Sequence, residues 1–273
     1  MDELLIEPGR TERNYLRDLW RYRELFYFLA WRDFLVRYKQ TAVGVAWALV
    51  RPFATMVVLT IVFGRIANLS APGAVPYALL VTAAMLPWQF FATALGEASG
   101  SLIGNASLIS KVYFPRLIVP ASAVMTSAAD FLITLGLMGG VMWWYAFAPD
   151  WRLVTLPFFV LLVFAASFGA GLWFAALNVT YRDFRYVIPF VVQLGLYISP
   201  VGFSSEVVPE RWRVLYALNP TVGAIEGFRW ALLRGHSGVS LAMLATSVLV
   251  TAALCASGVW YFRKMEKTFA DVI

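Results

Sequence analysis

The chain has 273 residues, 60% of them hydrophobic and only 14% charged, with a mean hydropathy of +0.70. Soluble proteins carry roughly 25% charged residues, and the longest weakly hydrophobic stretches here are the first 40 residues and Ser204–Gly238, so a sizeable soluble domain is excluded. The net charge of +6 does not imply a nucleic-acid partner, because the basic residues sort by side of a membrane.

The apolar residues form six blocks, approximately Thr41–Phe63, Tyr77–Leu95, Leu117–Phe147, Leu153–Leu177, Val187–Phe203 and Val239–Phe262. A spanning helix needs roughly 20 mostly apolar residues, so most blocks qualify alone and the fifth is short. With the N-terminus inside, sixteen of the 22 Lys and Arg fall on the cytoplasmic side, which predicts that both termini are cytoplasmic. A phosphate-binding loop requires a Lys directly after Gly, whereas Lys39, Lys111, Lys264 and Lys267 follow Tyr38, Ser110, Arg263 and Glu266. No cofactor is therefore expected in this chain, and any ATP and Mg belong on another polypeptide. Cys255 reads as a packing residue, and the lone His236 lacks metal-ligand neighbours. With Asp2, Glu3 and Glu7, the N-terminus lacks the pattern of a cleaved signal peptide, so the first span is expected to target the chain.

Residues 1–40 read as a cytoplasmic amphipathic interfacial segment ahead of a six-helix membrane domain, 41–273. Along Arg13–Lys39, the residues Tyr15, Leu16, Leu19, Trp20, Tyr22 and Phe26 share one helical face, and Arg13, Arg17, Asp18, Arg21 and Glu24 the other. The apolar side then rotates to Phe28, Trp31, Phe34, Leu35 and Tyr38, which predicts a bend near Leu25–Phe28. Arginines at headgroup level with aromatics in the interface suit a helix lying on the membrane. In the loop Gly96–Arg116, Leu102, Ala106, Ile109 and Tyr113 form a stripe at helical spacing, and Pro115 stops the helix. Such a helix docks in the groove of a soluble partner or lies on the membrane. The third block, 31 residues, corresponds to about 46 Å of helix; Gly136, Gly139 and Gly140 are positioned to loosen it, and Trp143, Trp144 and Tyr145 suit the far interface. Ser204–Gly238 carries a semi-apolar stretch, Val222–Leu233, with Glu226 and Arg229. It is too charged for a comfortable span and too apolar for a free loop, so helices partly inserted from the outer side are expected.

Four motifs stand in order along the chain. They are Tyr38–Trp47 with Pro52 and Val62-Phe63-Gly64; Asn105–Arg116; Tyr181-Arg182-Asp183 with Pro189; and Asn219-Pro220 with Ile225–Arg229. Together they resemble the ABC-2-type permeases that export polysaccharides, closest to the O-antigen and teichoic-acid exporters. The resemblance implies an all-α integral membrane protein of the bacterial inner membrane with six transmembrane helices, an interfacial N-terminal helix and re-entrant outer helices before the last span. It implies a non-enzymatic subunit that works as two copies with two copies of a separate ATPase, moving a lipid-linked polysaccharide outward. Leu102, Asn105, Ala106, Ile109, Lys111, Tyr113 and Arg116 would then couple to the ATPase, with Arg182 and Asp183 as a second contact or gate. Arg51 departs from the pattern, which usually has an uncharged polar residue before Pro52.

The carboxylates in or near the spans, Glu97, Asp130, Asp183 and Glu226, are scattered along the sequence, so no catalytic constellation is expected. An ionised Asp130 in an apolar run costs at least a few kcal/mol unless paired or wet; pairing with Arg51 is the expected solution, substrate contact the other. Aromatics make up 16% of the chain, and sugar faces stack on aromatic rings. Trp47, Phe53, Trp88, Phe90, Phe91, Phe190 and Tyr197 are candidates for a sugar path, with Arg51, Asp130, Glu226 and Arg229 as its intramembrane polar residues. Export of a small amphiphile or drug is the nearest rival. An ion-driven secondary transporter would need clustered intramembrane acids or a half-to-half repeat, and a membrane glycosyltransferase would need convergent acids; the sequence shows neither.

Overall fold

The helix Tyr77–Gly104 (α4) organises the molecule. Its 28 residues run about 42 Å, and small residues such as Ala78, Ala83, Ala84, Ala94 and Ala98, all buried, let neighbours approach on every side. The structure is a computed structural model that describes residues 15–39 and 44–269, and every regular element among them is helical. In chain order these are α1 Tyr15–Arg21, α2 Arg23–Lys39, α3 Gly44–Leu59 continuing as a π-type stretch Thr60–Ile66, α4, α5 Ala106–Lys111, α6 Ile118–Trp144, α7 Leu156–Thr180, α8 Phe184–Ile198, α9 Glu210–Tyr216, α10 Pro220–Leu232 and α11 Leu241–Met265. α6 and α7 flank α4, α10 covers its Tyr77 end, α11 backs α7, and α2 lies along α6.

Five stretches among the described residues are long and apolar enough to cross a bilayer: Ala46–Ile66, Tyr77–Gly104, Ile118–Trp144, Trp151–Thr180 and Leu241–Thr268. The block Val187–Phe203 forms only the 15-residue α8, about 22 Å long against a hydrocarbon core of about 30 Å. Pro200 stops it, and the Ser199 hydroxyl is engaged by Thr221 at 3.1 Å and by the Asn219 amide at 2.9 Å. α6 runs unbroken to Trp144, with nothing within 4 Å of a Cβ placed at Gly136, Gly139 or Gly140. Those glycines do not loosen it.

The expected bend near Leu25–Phe28 is not formed: α2 is continuous from Arg23, and across the one residue that separates it from α1 the Tyr22 N–H donates to the Asp18 carbonyl at 2.9 Å and the Phe26 N–H to the Tyr22 carbonyl at 3.1 Å. Tyr15, Leu19, Tyr22, Leu25, Phe26 and Leu29 pack on the start of α6 and the ends of α7 and α11. Trp20, placed with them on the wheel, is 71% exposed and lies under the Arg23 guanidinium. α2 presents Leu29 to the protein and Tyr27, Phe28 and Trp31 outward.

α7 and α11 cross at contact distance because neither side has a side chain there. A Cβ on Gly169 would meet the Cys255 backbone at 2.7 Å, and one on Gly258 would meet the Gly169 carbonyl at 2.4 Å, the small-residue packing that replaces a hydrophobic driving force in lipid. Gly169→Val should therefore cost at least the 1–3 kcal/mol of a typical overpacking (about that order), seen as a lowered unfolding midpoint in detergent. Gly136→Ala, facing open space, should hold or raise it by roughly 0.5–1 kcal/mol. Equal midpoints for the two variants would contradict this crossing.

Candidate functional site

Four helices enclose a cleft of about 470 Å³ at membrane depth. α2 contributes Arg37 and Tyr38; α3 contributes Trp47, Ala48, Arg51 and Pro52; α4 contributes Gln89, Phe90, Thr93 and Glu97; α6 contributes Asp130, Phe131 and Thr134. Each polar set follows the helical repeat: Trp47 and Arg51 are four apart, Gln89, Thr93 and Glu97 four and eight apart, and Asp130 and Thr134 four apart. Asp130 lies about 18 Å along α6 from Ile118. The Arg37 guanidinium forks between two helices, donating to Asp130 Oδ2 at 2.6 Å and to Glu97 Oε1. The Tyr38 hydroxyl donates to Asp130 Oδ1; burial, then Asp130, pushes the phenol well above its usual range, so it stays a donor.

The expected Arg51–Asp130 pair is not formed. α2 climbs along α6, with the Thr126 hydroxyl donating to the Ala30 carbonyl at 3.3 Å, and about two turns later Arg37 arrives at the level of Asp130. A helix expected to lie flat on the membrane was out of reach of that depth. Arg51 lines the same cleft and is exposed, with no ion pair among the described residues. Glu97 and Asp130, scattered in sequence, converge on one arginine. The spacing of Gln89, Thr93 and Glu97 was the available signal for this polar stripe.

At the end of α4 that leads into α5 the predicted stripe turns inward. Leu102 and Ile109 are buried with Leu29, Phe114, Leu117, Leu172 and Phe262 in the chain's own core, because α2 and α11 cover the side that α5 presents. Asn105 accepts from Arg32 Nη2 at 2.8 Å, and its amide donates to the Ser101 carbonyl at 2.8 Å. Arg116 anchors the end of α11: its backbone N–H donates to Glu266 Oε1 at 2.7 Å, and its guanidinium to the Glu266 carbonyl. The Tyr15 hydroxyl donates to Glu266 Oε2 at 3.1 Å. Ala106 is half-buried, whereas Ile103, Ser107, Ser110, Lys111, Val112 and Tyr113 are exposed, as are Arg182 and Asp183.

At the opposite end of the bundle, Glu226 and Arg229 form a 2.9 Å ion pair with both side chains fully buried. Arg229 also donates to the carbonyls of Leu80, Phe203 and Val201 at 3.2, 2.9 and 3.2 Å, while Glu226 accepts from the N–H groups of Ser205 and Gly238 at 3.0 and 3.2 Å. Among the path aromatics, Trp47, Phe53, Phe190 and Tyr197 are exposed and Phe91 is half-buried. Trp88 and Phe90 are buried: Trp88 lies against Gly195, and Phe90 against Phe131 and Phe164. Trp88 is a packing residue in this arrangement, whereas Phe90 also forms part of the cleft wall.

The family model described as "ABC-2 type transporter" matches residues 24–233. The O-antigen export system permease protein RfbA of Klebsiella pneumoniae is 26% identical over 247 residues, covering 89% of this chain and 92% of that protein. RfbA of Myxococcus xanthus is 27% identical over 260 residues, covering 94% and 98%. The polysialic acid transport protein KpsM of Escherichia coli is 24% identical over 226 residues, covering 81% and 86%.

Arg37→Gln should leave two carboxylates at membrane depth without a counter-charge. The cost should approach about 2.5–3.5 kcal/mol, reduced by partial exposure, and appear as a lowered unfolding midpoint. Adding Asp130→Asn should recover part of it, whereas Arg51→Gln should show no coupling to Asp130→Asn. The reverse pattern in a double-mutant cycle would restore the Arg51 pairing.

Proposed function

Because this chain belongs to the ABC-2 type transporter family, we propose that it is the membrane subunit of an ATP-driven exporter that carries a lipid-linked, O-antigen-like polysaccharide outward across the bacterial inner membrane. The observation that carries this reading is the alignment with O-antigen export permeases over about nine-tenths of both chains. The long apolar helices supply a multi-pass membrane body, and the lysines offer no phosphate-binding loop, so two copies of a separate ATPase supply the energy. α8 with the turn 199–203 completes a sixth crossing, α9 and α10 re-enter from the outer side, and both termini are cytoplasmic. A second copy covers the exposed apolar residues of α3 and α8, among them Phe53, Val58, Phe190 and Tyr197, and the polymer passes between the copies.

The ATPase docks on the outward side of the α5 loop, at Ile103, Ser107, Ser110 and Val112, rather than on the buried Leu102 and Ile109. Its movement then reaches α4 through Leu102, and α2 through Arg32 and Asn105. Arg182 and Asp183, exposed at the next cytoplasmic turn, form the second contact.

Deleting the gene should remove surface polysaccharide while its lipid-linked precursor accumulates in the cytoplasmic leaflet, and surface polymer at parental level would end the export reading. The docking face has its own test. Ile109→Asp should lower protein abundance, because it puts a charge into the chain's own core. The pair Ile103→Asp and Val112→Asp should leave abundance unchanged and abolish co-purification of the ATPase. Loss of the ATPase with Ile109→Asp alone, at full abundance, would return the interface to the other face.

A further inference from the structure

We infer that the cleft between α2, α3, α4 and α6 binds the phosphate-linked sugar of a lipid-linked saccharide, with Arg51 taking the phosphate. This rests on the export reading and adds a site to it. The two cations of the cleft differ in state. Arg37 is held by both Glu97 and Asp130, and only with Arg51 do the cleft's two cations balance its two carboxylates. Arg51 lies about 10 Å along α3 from Gly44, exposed to the cleft and without an ion pair among the described residues. A guanidinium at that depth is costly unless something anionic or wet meets it, and its planar fork matches phosphate oxygens bidentately.

The groups around Arg51 suit a sugar. Gln89 and Thr93 present an amide and a hydroxyl that make no side-chain hydrogen bond among the described residues, and both line the cleft. Trp47 is 56% exposed and shares a face of α3 with Arg51, which places an aromatic ring beside the phosphate position. At about 470 Å³ the cleft falls in the range of small-ligand sites, roughly 300–1,000 Å³. That is room for a phosphate and its attached sugar but not for a polymer, so the site reads the lipid-linked end and the growing chain lies elsewhere.

The test uses the full chain in phosphatidylcholine nanodiscs and a radiolabelled polyprenyl phosphate carrying one hexose as the probe. Binding should saturate, and Arg51→Gln should weaken it about tenfold to a hundredfold, the worth of a charge-assisted hydrogen bond. Arg51→Lys, which keeps the charge and guards against a folding defect, should weaken it less. Gln89→Leu with Thr93→Val should weaken binding of the glycosylated probe and spare unglycosylated polyprenyl phosphate. Unchanged binding in Arg51→Gln would mean that the guanidinium merely reaches the headgroup layer, and phosphatidylglycerol competing as well as the probe would mean an ordinary lipid site; either overturns the assignment. Specific probe binding together with intact surface polymer in a deletion strain would instead retire the export reading and leave the site standing.

Discussion

A carboxylate and a guanidinium with no solvent contact, Glu226 and Arg229, hold the outer half of this chain in place. Four of the five guanidinium donors are engaged, three of them by carbonyls on α4 and on the turn after α8. The carboxylate in turn gathers the N–H groups of Ser205 and Gly238. One pair therefore fastens α10 to the first turn of α4, to the end of α8 and to the approach to α11. Buried pairs add little net stability against an apolar equivalent, but removing one partner typically costs about 3–5 kcal/mol. The pair thus fixes which arrangement forms more than how stable it is.

The inner half uses a second set of charges with a different balance. Arg37 ties α2 to α4 and α6 at once, but the cleft around it keeps spare donors at Arg51, Gln89 and Thr93. The outer network is sealed and saturated; the inner one is open and partly unsatisfied, which is where a ligand changes the energy most. α4 joins the two, accepting from Arg229 at its Leu80 carbonyl and from Arg37 at its Glu97 carboxylate, with Leu102 packed at the cytoplasmic end.

Much of this was legible in the residues. Block length located the long helices, and the semi-apolar stretch with Glu226 and Arg229 marked a segment that forms a short buried helix. The buried pair itself sits at the i, i+3 spacing that brings side chains together. Other features were not readable, for physical reasons. The stripe of Leu102 and Ile109 has the same pattern whether it packs on the chain's own core or on a partner. The partner of Asp130 depended on the tilt of α2, which helical periodicity does not encode. Trp88 was a candidate for the sugar path because aromatic composition is silent on burial, and only the packing of α8 on α4 places it against Gly195. The charges at 182–183 were identifiable as an exposed turn, as the structure has them.

Reaction of single cysteines with a membrane-impermeant maleimide added from outside would test most directly that the buried pair keeps α10 inside the bundle. In a Cys255→Ala background, Trp212→Cys on the exposed face of α9 should label readily, and Ile225→Cys, at a fully buried position of α10, should not. Adding Arg229→Met should open Ile225→Cys to the reagent while the protein remains in the membrane. Labelling of Ile225→Cys in the parent, or its continued protection after Arg229→Met, would contradict the account.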